Sequence, residues 1–543
     1  MISDILTKID LDDLINAIGS QKLEQIKKLA DSKNNNSLTN RDDVLMCIIA
    51  YYGYDLLSNK RIRQLIFYTI DQNKLKYFTN KYCKKIYTKA YDNALELSLL
   101  PWKSNSEFVV EISDNLDLPN YYLPCETDTL PNRIEIEQLP KYYPLYDYQE
   151  ELKNEILLEL NSRNNRFLVQ MPTGSGKTRT VLESTISYIH NANLVLEGKI
   201  VLWLAHTEEL CEQAIDTFSK LWPHLSDYPI TIHRAYGDHT LFLSDERGCF
   251  IVGTLQKFSS LFKNDSYLLK TIKDSLKILI IDEAHKAIAK TYSSLINFLT
   301  IDDVKLIGIT ATPGRAAEKF EENIELAKFF NKKLLTPNFS ENPIIELRNK
   351  GILSFLKRKI IDSNIDIVLN EKESQQSKII EDISSLTLKN LANNLSRNKL
   401  IIKILEEEIN KNNPCLVFTC NVNHAQILNA AMNFKNYSTL SLDSNTGKSR
   451  RKIIIEEFKT GKCQILFNYG ILSTGFDAPN IRTVIITRPT SSIVLYSQMI
   501  GRGLRGPKMG GAKECNLIEI RDNFKNFGGV EKVYHYFEDY WKN

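Results

Sequence analysis

The stretch QMPTGSGKTR, residues 170–179, joins two closely spaced glycines to a lysine and a threonine. Glycines let a loop curl its backbone N–H groups around a phosphate chain, and a helix that starts at the loop adds a favourable dipole. In such loops the lysine reaches the β- and γ-phosphates, and the threonine hydroxyl binds Mg²⁺. The strict pattern begins with a glycine, and Met171 takes that place here. We still predict a nucleotide-binding loop made of Pro172, Thr173, Gly174, Ser175, Gly176, Lys177 and Thr178.

A second stretch, SNTGKSRRK at residues 444–452, nearly repeats the local pattern. Its Gly-Lys-Ser also lies between a predicted strand and a predicted helix, with Leu442 in the place of the first glycine. Local pattern alone does not choose between the two loops, so the choice depends on the motifs downstream of each loop. We interpret Lys448, Arg450 and Arg451 as a solvated turn or a contact with a phosphate backbone.

An acidic pair lies downstream of the first loop. The string IIDEAH, residues 280–285, ends an apolar run that is typical of a buried strand. Asp282 is placed to bind Mg²⁺ together with Thr178, and Glu283 is placed to polarise an attacking water. No similar string lies downstream of the second stretch. We therefore predict that Lys177, Asp282 and Glu283 are catalytic, with ATP and Mg²⁺ as cofactors.

Composition excludes several classes of protein. The chain has 543 residues, a formal net charge of +3 and nine scattered cysteines, none of them in a C-x-x-C pair. This near balance of charge means that any nucleic-acid surface is a local groove rather than a basic exterior. The start MISDILTKID lacks the basic region of a secretory signal, and no apolar run is long enough to span a bilayer. These features favour a cytoplasmic protein without a membrane partner. Cys415 and Cys420 are the closest pair of cysteines, but a zinc site there would need two further ligands, and none lies nearby in the sequence.

The chain divides into three regions by its pattern of apolar residues. The first is mainly helical, and in the other two short apolar strands alternate with amphipathic helices. That alternation is typical of parallel sheets with crossover helices, and the break LLTPNFSENP separates the two series. We predict an α/β fold with an N-terminal helical domain at 1–125 and two tandem α/β domains at 126–340 and 341–543.

Basic residues in the helical region have two possible roles. Ser58 is the predicted N-cap of a helix that carries Ile62, Leu65 and Ile66 on its apolar face. Lys60, Arg61 and Arg63 lie in the same stretch. These side chains either touch nucleic acid or form a solvated helix face, and a solvated face is the commoner role of such a cluster.

The two α/β domains carry motifs that resemble those of superfamily 2 helicases and translocases. In chain order the motifs are LYDYQEE (145–151), GSGKT (174–178), WLAHTEELCEQA (203–214), GTLQKF (253–258), DEAH (282–285), TATPGR (310–315), LVFTCNVNHA (416–425), ILSTGFDAPNI (471–481) and QMIGRGLRG (498–506). The resemblance implies two RecA-like P-loop domains with ATP bound between them. It also implies that Gln149 contacts adenine, and that Gly475 and Asp477 belong to the nucleotide site.

Two arginines of the last motif, Arg502 and Arg505, lie on a different predicted domain from Lys177. An arginine delivered across a cleft stabilises transition-state charge, worth about 10³–10⁵ in rate in well-studied NTPases. Hydrolysis then requires a closed cleft, so the two domains form a switch that ATP drives. We predict that both arginines are catalytic and that the cycle drives movement along a track.

Small polar groups at strand ends are suited to a nucleic-acid backbone as this track. Thr254 and Thr474 offer hydroxyl groups, and Gly475 offers a backbone N–H, to phosphate oxygens. Singly, such residues are more often helix caps or turns, but their places in helicase-like motifs favour the contact with nucleic acid. The string RPTSSIVLYSQMIGRGLRG is similar to type III restriction subunits and RadD-like proteins, which act on DNA.

These residues and resemblances support three hypotheses about function. The first is an ATP-dependent DNA helicase or translocase, acting in a restriction, repair or anti-phage (antiviral defence) complex. The second is an RNA helicase with the same core. The third is a nucleic-acid-stimulated ATPase switch that recruits a protein partner through residues 1–125 without moving along a strand. The sequence shows no convincing P-D-(D/E)-x-K nuclease constellation, so cutting would need a nuclease partner.

Overall fold

The computed structural model describes most of the 543-residue chain. The described residues are 2–30, 40–104, 106–124, 130–134, 142–243, 248–301, 303–314, 320–340, 342–365, 382–472, 481–522 and 536–541. Within them, two separate sheets form the centres of two α/β domains, and a group of helices precedes both. The predicted α/β fold, with two RecA-like domains and an N-terminal helical region, is confirmed.

The N-terminal region is helical throughout its described part. Its α-helices are α1 (Ile2–Leu6), α2 (Leu11–Ile18), α3 (Ser20–Ala30), α4 (Arg41–Tyr52), α5 (Lys60–Tyr68), α6 (Gln72–Cys83), α7 (Ala90–Leu99) and α8 (Glu107–Leu116), with 3₁₀ turns at Gly53–Ser58 and Asn120–Tyr122. The Asn59 side chain accepts hydrogen bonds from the first N–H groups of α5 and so stabilises its start. The predicted cap at Ser58 is wrong, because Ser58 ends the preceding 3₁₀ turn and the cap lies one residue later.

The first α/β domain surrounds an eight-stranded sheet. Its strands are β1 (Arg133–Ile134), β2 (Arg166–Gln170), β3 (Ile200–Ala205), β4 (Thr231–Ala235), β5 (Cys249–Thr254), β6 (Leu276–Asp282), β7 (Lys305–Thr310) and β8 (Leu334–Leu335). Its helices are α9 (Asp147–Asn161), α10 (Lys177–Asn191), α11 (Glu208–Leu225), α12 (Leu255–Lys263), α13 (Tyr267–Ser275), α14 (Lys290–Leu299) and α15 (Phe320–Phe329). The strand order is β1-β4-β5-β3-β6-β7-β2-β8, in which β1 pairs antiparallel and the other pairs are parallel.

Alternate residues of the central strands face two different hydrophobic clusters. In β2, Phe167 and Val169 belong to one cluster and Leu168 belongs to the other, and all three side chains are fully buried. Helices therefore cover both faces of this sheet, as parallel sheets require. Because parallel strands end at the same edge, the loops after β2, β3, β5, β6 and β7 meet there.

The second α/β domain surrounds a six-stranded parallel sheet of order β11-β12-β10-β13-β14-β9. Its strands are β9 (Phe355–Asp362), β10 (Cys415–Phe418), β11 (Thr439–Leu442), β12 (Ile465–Asn468), β13 (Thr483–Ile486) and β14 (Glu514–Arg521). Its helices are α16 (Pro343–Asn349), α17 (Ser385–Asn393), α18 (Leu395–Asn410), α19 (Val422–Phe434), α20 (Lys448–Lys459) and α21 (Ile493–Gly501). The apolar pattern does not predict β9, whose FLKRKIID sequence is largely exposed because β9 is an edge strand.

The N-terminal helices pack on the second α/β domain, although the first α/β domain follows them in sequence. Helices α3 and α4 lie against α19, and α3 also lies against α18. One buried cluster joins Leu23 and Ile48 of these helices to Ile427 and Phe467 of the second domain. The Tyr51 hydroxyl donates to Gln426 Oε1 at 2.9 Å. The N-terminal region and the second domain therefore share one hydrophobic core.

The last described residues, 536–541, lie against the first α/β domain. The Trp541 Nε1–H donates to the carbonyl oxygen of Pro313 at 2.8 Å. The Phe537 ring is fully buried and fills the space that a side chain at Gly314 would need. Both contacts are made with the TATPGR loop after β7. Residues 536–541 therefore follow the second α/β domain in sequence but pack on the first.

Among the basic N-terminal residues, Arg63 has neither of the predicted roles. It is buried, and its guanidinium donates to the carbonyl oxygens of Leu57 at 2.9 Å and Leu100 at 3.2 Å. Its charged end also lies 5.4 Å from the ring centre of Trp102. Arg63 therefore joins three segments of the helical region and is not available to nucleic acid.

Membrane spans and metal clusters are both absent from the described residues. No helix in these ranges is long and apolar enough to cross a bilayer. Across the same ranges, no His, Cys, Asp and Glu side chains form a group of three or more that could hold a metal ion. Cys415 and Cys420 are buried free thiols.

Candidate active site

The predicted phosphate loop connects β2 to α10. Gly174 and Gly176 have φ angles of 84° and 88°, a left-handed conformation that residues with side chains rarely adopt. Helix α10 begins at Lys177, directly after the loop, so its unpaired N–H groups lie at the loop. This arrangement supplies the backbone donors and the helix dipole that a phosphate group needs.

Hydrogen bonds inside the loop fix its shape. The Ser175 hydroxyl donates to the carbonyl oxygen of Pro172 at 2.7 Å, and the Ser175 backbone N–H donates to the same oxygen at 3.2 Å. One turn into α10, the Thr180 hydroxyl donates to the carbonyl oxygen of Gly176 at 3.1 Å. The loop is therefore preorganised by its own residues.

Gln149, near the start of α9, supports the loop from outside. Its Nε2 donates to the carbonyl oxygen of Ser175 at 3.0 Å, and its Oε1 accepts from the Tyr146 backbone N–H at 3.0 Å. The Tyr148 hydroxyl donates to the same Ser175 oxygen at 2.8 Å. A β-carbon at Gly176 would lie 2.3 Å from Gln149 Nε2, and its φ of 88° is strained for any other residue. Gln149 thus lies beside the nucleotide loop, and its contact with adenine stays a prediction.

The acidic pair lies at the end of β6, on the same sheet edge as the loop. Asp282 is buried, and its Oδ1 accepts from the Glu283 backbone N–H at 2.9 Å. Glu283 has a φ of 53°, a strained conformation of the kind that clusters at functional sites. His285 Nδ1 lies 3.3 Å from Glu283 Oε2 and 3.3 Å from Thr310 Oγ1 at the end of β7. His285 therefore links the acidic pair to the TATPGR loop.

The charges of the site act on one another. Burial raises the pKa of Glu283, but His285 and Lys177 outweigh this effect and lower it. Burial and the neighbouring Glu283 raise the pKa of Asp282, and Lys177 opposes them. Burial lowers the pKa of Lys177, and the two carboxylates oppose that change. Glu283 is therefore held in its ionised form, whereas Asp282 lacks a full counter-charge, a deficit that a divalent cation corrects.

Thr178 and Asp282 are the predicted Mg²⁺ ligands. Thr178 lies in the first turn of α10, and its hydroxyl has no hydrogen-bond partner in the described ranges. Protein-bound Mg²⁺ usually takes one or two carboxylates together with substrate phosphates and water. A hydroxyl oxygen beside the phosphate loop and a buried carboxylate fit that donor set. Their role as ligands stays a prediction.

Arg502 and Arg505 of the second domain reach the same cleft. Burial lowers the pKa of Arg502 to about 10, and the charge of Glu283, on the first domain, opposes that change. Burial also lowers the pKa of Arg505. A β-carbon at Gly174 would lie 3.8 Å from Arg505 Cγ, which is ordinary van der Waals contact. The structure therefore brings both predicted arginines to the phosphate loop and the acidic pair.

Further contacts join the two domains around the loop. Gly501, at the end of α21, packs so closely on Thr173 that a β-carbon there would lie 2.5 Å from Thr173 Cγ2. The Tyr146 hydroxyl donates to the carbonyl oxygen of Lys508 at 3.3 Å, and the Lys508 ammonium lies 5.7 Å from the Tyr146 ring centre. Tyr146 and Tyr148 are stacked with 6.2 Å between their ring centres. The edge of the cleft beside the loop is therefore aromatic.

Thr254 lies at the end of β5 and caps α12. Its Oγ1 accepts from the Lys257 backbone N–H at 3.4 Å, and the residue is buried. Two residues on, Gln256 Nε2 lies 3.1 Å from Nδ1 of His206, which follows β3. Burial, and after it the charge of Lys286, lowers the pKa of His206 to about 4, so its ring is neutral at neutral pH. The contact between Gln256 and His206 thus joins the ends of β5 and β3 at this sheet edge.

The set of predicted site residues is incomplete. Sequence reasoning missed His285, Thr310 and His206 as members of the site, although each stands in a quoted motif. The signal was the position of each residue at or just after the end of a buried strand. Three further predicted residues lie outside the described part of the chain: Thr474, Gly475 and Asp477.

The second Gly-Lys-Ser stretch lies away from this cleft. Gly447 is extended, with φ −61° and ψ 151°, and α20 begins directly after it. Arg450 is buried with its charged end 4.7 Å from the ring centre of Tyr54 in the N-terminal region. Arg451 forms an ion pair with Glu209 of the first domain. The interpretation of these arginines as a solvated turn is therefore wrong.

Comparison with protein families gives matches in both α/β domains. Residues 142–315 match the family described as type III restriction enzyme, res subunit. Residues 396–506 match the family described as helicase conserved C-terminal domain. The first match contains the phosphate loop and the acidic pair, and the second contains both arginines. The N-terminal helices precede both matched regions.

Two curated relatives are yeast proteins. The chain is 28% identical over 372 residues to the putative ATP-dependent helicase IRC3 of Saccharomyces cerevisiae, across 66% of this chain and 49% of that protein. It is 28% identical over 387 residues to the putative mitochondrial ATP-dependent helicase irc3 of Schizosaccharomyces pombe, across 70% of this chain and 58% of that protein. The chain thus spans about half the length of these relatives.

A solved structure shows a similar fold. It is a fragment of a putative HsdR subunit of a type I restriction enzyme from Vibrio vulnificus. The TM-score is 0.50 and the identity is 20%, across 71% of this chain and 65% of that one. At this level of identity the likeness concerns the fold alone.

Proposed function

Since the chain belongs to the superfamily 2 helicases, in the type III restriction-like branch, we propose that it hydrolyses ATP to move along nucleic acid, with DNA as the track. In this proposal the two α/β domains are the halves of a motor, and ATP binds in the cleft between them.

The cleft is the observation that carries the proposal. One wall holds Lys177 and Glu283 of the first domain, and the other wall brings Arg502 and Arg505 of the second domain. A γ-phosphate between these walls attracts both, so binding favours the closed cleft and loss of the phosphate favours opening. Repeated closing and opening on a strand held by both domains moves the domains along it.

The residues divide the chemistry of hydrolysis between them. Glu283, kept ionised by His285 and Lys177, orients and polarises the attacking water. Lys177 and Arg502 stabilise the negative charge that develops on the transferred phosphoryl oxygens. When bound at Thr178 and Asp282, Mg²⁺ supplies further neutralisation of the phosphate charge. Because these groups come from both domains, an open cleft lacks part of them.

The link to the track runs through short polar contacts. His285 contacts both Glu283 and Thr310, so a change at the γ-phosphate reaches the TATPGR loop. We propose that His206 and Gln256, which are in contact at the ends of β3 and β5, carry this change on towards Thr254. We propose that Thr254, with Thr474 and Gly475, contacts the phosphate backbone of the strand.

DNA is the favoured track because two motifs differ from those of DEAD-box RNA helicases at one position each. The acidic motif ends in His285, and the arginine motif has Gln498 where RNA helicases of the DEAD-box type place histidine. An RNA helicase with the same core is the alternative.

The deciding experiment measures ATP turnover with single-stranded DNA, duplex DNA and RNA of matched length. We expect stimulation by DNA, and stimulation by RNA alone would contradict the DNA track. Arg502→Ala should lower stimulated turnover by about 10³-fold or more and leave DNA affinity nearly unchanged. An equal loss of turnover and affinity would assign Arg502 to the track instead.

Movement is tested separately from hydrolysis. We expect the chain to displace a strand, or a protein roadblock, from DNA in an ATP-dependent way. Robust DNA-stimulated turnover without any displacement would favour an ATPase switch that recruits a partner through its N-terminal helices.

The setting of this activity is also a proposal. We place the protein in the cytoplasm, in a restriction, repair or antiviral defence complex whose nuclease activity, if any, comes from a partner. A pulldown from nuclease-treated lysate that recovers a nuclease with the chain would support this setting, and recovery of the chain alone would weaken it.

A further inference from the structure

A cavity of about 580 Å³ lies between the N-terminal helices and the second α/β domain. Its walls come from α4, the 3₁₀ turn Gly53–Ser58 and the second Gly-Lys-Ser stretch. None of the predicted nucleotide-site residues lines it. The cavity is therefore separate from the ATP cleft.

The cavity opens at the carboxyl end of β11, the edge of an α/β sheet where ligands bind. The backbone N–H of Tyr469, after β12, donates to the carbonyl oxygen of Leu442 at the end of β11, at 3.2 Å. The motif ILSTGFDAPNI starts at Ile471, two residues further on. The cavity thus adjoins the start of a motif that we assign to the track.

Five aromatic rings form part of a cavity wall that is otherwise largely polar. They are the side chains of Tyr51, Tyr52, Tyr54, Trp102 and Tyr122, all from the N-terminal region. Bases of single-stranded nucleic acid stack on such rings, and because every base has a flat π-face this stacking is largely independent of sequence. The second domain alone lacks these rings, so the cavity exists only because the N-terminal helices pack on it.

The charges around the cavity nearly cancel. Asp55 and Asp443 face Lys22 and Arg450, and Arg450 is already held by the Tyr54 ring. A phosphate group therefore gains little by entering. Hydrogen-bonding capacity remains at Asp55: its side chain is half-exposed, and among the described residues its charged partner is Arg450, at 4.0 Å.

Burial raises the pKa of Asp55, Arg450 opposes this effect, and Asp443 adds to it. The repulsion between the two carboxylates is relieved by a ligand that brings N–H donors. A flat ring can stack on the aromatic side chains, and an uncharged ring suits the balanced charge. N–H donors on that ring can bond to the carboxylate of Asp55.

We propose that this cavity binds a nucleobase with an exocyclic amino group, from the strand that the second domain holds. The inference rests on the proposed function, because it needs a nucleic-acid strand at that domain. The ring packs among the tyrosines, the amino group donates to Asp55, and the phosphates stay outside. The N-terminal helices thereby extend the track and add a preference for the three bases with an amino group, adenine, cytosine and guanine, over thymine.

The test uses Asp55→Asn in the full chain, with Asp114→Asn as the matched control. Asp114 is exposed on α8 and does not line the cavity. Fluorescence anisotropy of labelled oligo(dA), oligo(dC) and oligo(dT) gives the affinities. We expect the wild type to bind oligo(dA) and oligo(dC) more tightly than oligo(dT). Asp55→Asn should lose about fivefold in affinity for the first two and keep its affinity for oligo(dT), with an unchanged melting temperature.

Other results overturn the inference. Tighter binding of all three oligonucleotides by Asp55→Asn would mean that the cavity faces phosphates, because removal of a negative charge helps a polyanion. Equal affinities in the wild type and the variant would mean that no base enters. Binding of free adenosine monophosphate that depends on Asp55, with no effect on oligonucleotides, would assign the cavity to a free nucleotide.

The same preparations separate this inference from the proposed function. If DNA stimulates ATP turnover of the wild type and Asp55→Asn leaves the affinities for all three oligonucleotides unchanged, only the cavity inference fails. If no nucleic acid stimulates turnover or binds to the wild type, both fail.

Discussion

Two loops of this chain carry Gly-Lys followed by a hydroxyl residue, and they have opposite surroundings. In the first loop Gly174 and Gly176 are left-handed, with φ of 84° and 88°, and α10 starts at the ATP cleft. In the second loop Gly447 is extended, with φ −61°, and α20 starts beside the N-terminal helices. The same pattern of glycine, lysine and a hydroxyl residue therefore occurs with two different backbones.

The difference shows what makes a phosphate loop. A pair of left-handed glycines turns successive N–H groups towards one point, whereas an extended glycine before a helix does not. Around the first loop the sheet edge also supplies a buried acidic pair, and the facing domain supplies arginines. The second loop instead faces tyrosines and carboxylates. The surroundings, more than the local string, decide the ligand.

The largest expected effect comes from removing the lysine of each loop in turn. Lys177→Ala should lower ATP turnover by about a thousandfold, because a charge that stabilises the transferred phosphoryl group is lost. Lys448→Ala should leave turnover within about twofold of the wild type, because its loop lies outside the cleft. Steady-state phosphate release measures both variants.

Glu283→Gln completes this comparison. It should suppress turnover while fluorescent ATP still binds, since only the group that polarises water is changed. Normal turnover in Glu283→Gln, or a large loss in Lys448→Ala, would show that the roles of the two loops are wrongly assigned.

Most of the fold can be predicted from the sequence for a simple reason. Strands such as β3 and β6 are covered by helices on both faces of the sheet, so their residues are almost all apolar. Such apolar runs can be recognised in a single sequence. The packing of the N-terminal helices on the second domain cannot be predicted in this way, because apolar faces at Leu23 and Ile48 do not identify their partner. The contact of 536–541 with the TATPGR loop was missed for the same reason.

The site residues that stand in short contiguous motifs could be predicted from the sequence. Lys177, Asp282 and Glu283 stand in such strings, and the arginine motif stands in another. The contact of His285 with Thr310 is different, since β6 and β7, which are separated by a helix in the chain, must pair in the sheet before it exists. Arg450 misled the prediction because its charge suggested solvent, whereas the Tyr54 ring covers it.

A smaller effect is expected from exchanging the glycines. Gly176→Ala should lower turnover by about tenfold and destabilise the loop by about 1–2 kcal/mol, since alanine at φ 88° is strained and its β-carbon meets Gln149 Nε2. Gly447→Ala should change stability by less than about 0.5 kcal/mol, because its backbone suits alanine and the space there is open. Turnover assays and thermal melts compare the pair, and equal effects of the two exchanges would contradict the difference in backbone.

The smallest effect on turnover is expected from Arg450→Ala, which tests what the second loop does instead. Arg450 packs on the Tyr54 ring at 4.7 Å and donates to the carbonyl oxygen of Tyr121 at 2.9 Å, so its loss should weaken the docking of the N-terminal helices by about 2 kcal/mol. Hydrogen exchange in α4 should then rise by about thirtyfold, with turnover within about twofold of the wild type. Glu456→Ala, an exposed residue of the same helix α20, is the control and should change neither quantity. A large loss of turnover without faster exchange in α4 would mean that Arg450 acts on the nucleotide cleft, because docking would then be intact while chemistry failed.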